Sequence, residues 1–174
     1  MSLNTQNTSQ IRRLFESLRP KGLSLMGYRL ESLLLYYLGV LEKAKAASDN
    51  GDPEPMRSIK PVNYIVITDG FPTDAPEDVI VAAARRLTAG GFSLMQVGIQ
   101  IVQLGDNPDA TEFLRRLDDD LPTEYGCRDI VDTTPYNGQE LNEKRLLKIL
   151  IGAVNGRIDR IQNSELESDS QSLS

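Results

Sequence analysis

Apolar residues along the chain change rhythm several times, and each change predicts an element. From Gly27 to Ala47, Leu30, Leu33, Leu34, Leu38 and Leu41 recur at helical spacing, with Glu31, Glu42, Lys43 and Lys45 elsewhere. That spacing predicts an amphipathic helix, and Leu35, Tyr36 and Tyr37 widen its apolar side, so cover on more than one side is expected. From Val62 to Ile67 a β-branched run without strict alternation predicts a strand buried on both faces. Helical spacing returns near Ala75, with Asp74 expected as the N-cap, Pro76 in the first turn and Glu77 three residues after the cap. Val79, Ile80, Ala83 and Leu87 should face a sheet, and Gly90-Gly91 should end the helix.

A second strand is expected over Gln96–Leu104. The turn Gly105-Asp106-Asn107-Pro108 then opens a helix carrying Phe113, Leu114, Leu117 and Leu121. A short third strand is expected at Asp129–Asp132, and a last helix from Leu141 to about Ile161. The segment from Ser48 to Pro55 reads as a polar loop. Helix and strand alternate throughout, which implies an α/β fold of the Rossmann-like, three-layer α/β/α kind with a parallel sheet. Three strands are few against the usual ~5–6 for a sheet. Either residues 1–23 add a strand, or part of the fold is missing. Residues 1–162 read as one domain, and the Ser/Glu/Asp-rich tail 163–174 is expected to be disordered.

Composition narrows the chemistry. The 174 residues carry a net charge of −6 and no basic stripe, which argues against a nucleic-acid partner. Arg12-Arg13, Arg85-Arg86 and Arg115-Arg116 read as solvated helix faces. No apolar run approaches the ~20 residues that cross a bilayer, and no membrane partner is expected. The polar start, Met1 to Asn7, has no secretory pattern, and Cys127 is the single cysteine. A cytoplasmic location follows as the expectation. There is no histidine. Its absence removes His-dependent hydrolases and the usual zinc enzymes, and it leaves Cys127 without an activating base.

Thr68-Asp69-Gly70 ends the first strand and places a carboxylate at the carboxyl rim of the sheet, where open α/β folds bind ligands. The bland alternative for Asp69 is a loop acid that caps a turn. Ser24 reads first as the N-cap of the leucine-rich helix. Asp106 and Asp109 read as caps beside Pro108, and Asp118-Asp119-Asp120 as a solvated helix end, since successive helical positions point apart.

Pro20-Lys21-Gly22-Leu23-Ser24-Leu25-Met26-Gly27-Tyr28-Arg29-Leu30, taken with Ile65-Val66-Ile67-Thr68-Asp69-Gly70, resembles the second half of a von Willebrand factor A domain. Val97-Gly98-Ile99-Gln100 and the segment from Asp129 to Tyr136 look similar to intracellular fungal and microbial members. The resemblance covers roughly residues 11–161. It implies a metal-ion-dependent adhesion site at the rim, with Mg²⁺ or Mn²⁺ held through the hydroxyl of Ser24 and the carboxylate of Asp69. The family's first strand, its Asp-x-Ser-x-Ser loop and the next two strands have no counterpart here. What remains is a partial domain in which the strand at Val62–Ile67 becomes an edge.

The expected function is therefore protein–protein interaction rather than catalysis. The partner is expected at the rim around Ser24, Asp69 and Asp74, or at the exposed sheet edge, as another protein or a second copy of the chain. A competing reading is a small Rossmann-like phosphate-handling enzyme using Asp69. Against it stand the missing glycine-rich phosphate loops and the apolar neighbours Ile67 and Phe71. A third is a truncated paralogue without function of its own.

Overall fold

In this computed structural model the described residues are 8–17, 23–136 and 149–150. The helices before the sheet are α1 (Thr8–Ser17), α2 (Met26–Asp49) and α3 (Glu54–Ser58). Then follow β1 (Val62–Thr68), α4 (Pro76–Ala89), β2 (Val97–Leu104) and α5 (Pro108–Arg115). A π-helical segment (Arg116–Asp120) leads into α6 (Leu121–Tyr125) and β3 (Val131–Tyr136). The strands make one parallel sheet in the order β1-β2-β3. The fold is mixed α/β, and among the described residues no helix is long and apolar enough to cross a membrane.

Register decides which side chains share a face. Val62 lies opposite Val97, Val66 opposite Ile101, and Ile101 opposite Thr133. With side chains alternating along each strand, Tyr64, Val66, Ile99, Ile101 and Val131 point one way. Asn63, Ile65, Ile67, Gln100, Val102 and Thr134 point the other way.

The first face is the core. Leu30, Leu34, Leu38 and Leu41 of α2 meet Ile80, Ala84 and Leu87 of α4 over it, with Leu114 and Leu117 completing the cluster. These are the a/d-type positions of the leucine pattern, so burial follows from spacing. The helices approach closely at Gly27, where an added Cβ would lie 3.0 Å from the Ala75 carbonyl oxygen. Farther along, Arg86 grips Glu42 through two 2.8 Å hydrogen bonds.

The second face is unevenly covered. At β2, Gln100 and Val102 are buried, and the Gln100 amide donates to the Asp132 carbonyl and the Thr134 hydroxyl. Asn63 donates to the carbonyl of Leu150 at 2.9 Å. At β1 cover fails: Ile65 is 43% and Ile67 57% exposed.

Several expectations need correcting. Among the described residues β1 is an edge strand, and it is not buried on both faces, because Ile65 and Ile67 on its second face lack cover. The edge position itself matches expectation. Residues 8–17 form a helix and add no strand. The third strand starts later, at Val131, and runs through Thr133-Thr134-Pro135-Tyr136. A short helix interrupts the polar loop after Asp52. Leu33, Leu35 and Tyr36 of α2 are exposed, so that helix is not covered on a second side. Of the last helix expected from Leu141, only residues 149–150 fall within the described residues, and the tail 163–174 lies outside them.

Candidate functional site

The carboxyl rim is built from the turn after β1. The Thr68 hydroxyl folds back on it, donating to the Gly70 carbonyl at 3.1 Å and accepting from the Gly70 amide at 3.4 Å. Asp69 is thereby turned outward, exposed, with no hydrogen bond or ion pair among the described residues. Two residues past Phe71, the Thr73 amide and hydroxyl both donate to the Ser24 carbonyl, at 2.9 and 3.2 Å. The rim loop is thus laced to the chain entering α2.

Capping on this rim differs from expectation. Leu25, not Ser24, holds the N-cap position of α2 and offers no side-chain acceptor. The acceptor comes from Asp74, whose two carboxylate oxygens take the amides of Gly27 (3.1 Å) and Tyr28 (2.8 Å). Asp74 therefore caps α2 rather than its own helix, where Ala75 stands at the N-cap without a side-chain bond. Partial burial pushes the Asp74 carboxyl up, but the Tyr28 and Gly27 amides outweigh it and hold the group below its ordinary value.

Ser24 and Asp74 thus have separate partners on this rim, and Asp69 has none among the described residues. A divalent cation needs several oxygen ligands, and Mg²⁺ accepts only near-octahedral ones. Asp74 is occupied by backbone amides, which leaves one carboxylate and one hydroxyl. Among the described residues no group of three or more His, Cys, Asp or Glu side chains is placed to hold a metal. The residues present do not make a fitted site for Mg²⁺ or Mn²⁺.

Elsewhere the acids sort differently from the sequence reading. Asn107 caps α5, accepting from the amides of Asp109 and Ala110, so neither Asp106 nor Asp109 is the cap. Asp118 is not solvated. It is 8% exposed, on the π-helical segment, and accepts from the Thr133 amide (2.9 Å) and hydroxyl (3.0 Å). The wider π turn breaks the regular helical phase on which the solvated reading rested. Burial pushes the Asp118 carboxyl up despite those two bonds. Arg86 is half-buried against Glu42, not solvated, while Arg115 pairs with Glu112, Asp119 and Asp120 at the surface. Burial raises the Cys127 thiol, with Arg85 opposing, which favours the neutral thiol.

One feature that residue motifs did not point to is apolar. A cavity of about 220 Å³ runs between α2 and the free edge, lined by Leu25, Arg29, Leu33, Val66, Ile67 and Thr68. Beside it Leu33, Tyr36 and Val40 form an exposed stripe on α2, with Tyr36 77% exposed. Their spacing of three and four residues was the available signal. It is shared with any core-facing stripe, so the sequence pattern alone assigns it to the interior.

Comparison with known proteins yields no matching family model, no matching curated protein and no matching solved structure. The von Willebrand factor A resemblance therefore rests on the residues quoted for it.

Proposed function

We propose that this chain is a protein-interaction module, and that its binding surface is the free edge of β1 with the adjoining stripe of α2. The observation that carries this reading is the edge itself. Val62 donates to the carbonyl of Gln96, the residue just before β2. By alternation, the amides and carbonyls of Asn63, Ile65 and Ile67 then point away from the sheet. Edge strands of this kind are ordinarily protected by charge, proline or cover. Between Val62 and Thr68 there is no charged residue and no proline. An added strand would bond the outward groups and cover Ile65 and Ile67.

The Rossmann-like, three-layer arrangement of a partial von Willebrand factor A domain belongs to the same proposal. It is supported by the parallel strand order and by the burial of Gln100 and Val102 on the second face. In that reading the adhesion site is degenerate, and binding has moved from metal chemistry to backbone pairing.

The test is residue-resolved amide exchange. With the edge engaged, the amides of Asn63, Ile65 and Ile67 exchange slowly, and Ile65→Lys restores fast exchange in a protein that still melts cooperatively. Fast exchange of all three at every protein concentration, and in extract of the expressing cells, rules the reading out.

A further inference from the structure

We draw no further inference here: the strongest candidate, the apolar cavity between α2 and the edge of β1, adjoins the surface already proposed, and nothing in the structure shows what covers it.

Discussion

Asp74 and Asp118 are both aspartates with two backbone or side-chain donors, and burial separates them. Asp74 keeps its charge because the α2 amides favour the carboxylate, so its folded value lies below the unfolded one. Its stabilisation is present at neutral pH and is lost as pH falls through that depressed value. Asp74→Ala should cost about 0.5–2 kcal/mol at pH 7, and the gap between the two melting curves should close in the acid range. Asp118 runs the other way. Its folded value lies above the unfolded one, so ionisation at neutral pH opposes folding and protonation relieves it. Asp118→Asn should therefore melt no lower than wild type at pH 7, because an amide still accepts from Thr133. Asp118→Ala leaves the Thr133 donors without an acceptor and should cost about 1–3 kcal/mol by chemical denaturation. Neither assignment was legible in sequence. Asp74 sits where a cap of its own helix belongs, and only the tertiary fold brings the start of α2 closer. Asp118 lies in a run of three acids whose solvated appearance depends on a regular helix, and a π turn replaces that helix.

At the level of elements, periodicity served well where the pattern was long. The leucine spacing gives α2 to within a residue or two, and the apolar run gives β2. Cover is another matter. Leu33, Leu34 and Leu35 are chemically alike, yet Leu34 is buried and its two neighbours are exposed, because what lies above a helix face is set by other segments. The same holds for β1, whose β-branched run reads as central while the sheet leaves it at the edge. The α2–α4 crossing gives a sharper test than any of these. A methyl group at Gly27 would meet backbone atoms of Ala75 and Pro76 at 3.0–3.1 Å, with no flexible side chain to yield. Gly27→Ala should destabilise the protein by about 1–3 kcal/mol in denaturant titration, although alanine favours helix. Leu34→Ala, which empties the centre of the same contact, should cost about 2–5 kcal/mol.

For the molecule as a whole, the parallel order and the alternation of helix and strand were readable before any coordinates. The small number of strands was the warning that a strand read as central could stand at an edge. Adding Mg²⁺ or Mn²⁺ should leave the melting temperature unchanged, and Asp69→Ala should behave like wild type in that titration. A metal-dependent rise lost in the variant would revive the adhesion-site reading.

The Asp74 cap also has a dynamic consequence. The first amides of α2 are satisfied by a carboxylate that lies 46 and 47 residues farther along the chain, on the loop that leaves the rim. The leading turn of that helix cannot close until the loop has docked, and it cannot stay closed if the loop is drawn away. Any force on Thr73 or Asp74, whether from a bound protein or from fraying of α4, would unwind the helix from its start and release Met26 from the core. The rim and the first turn of α2 thus open as a single unit.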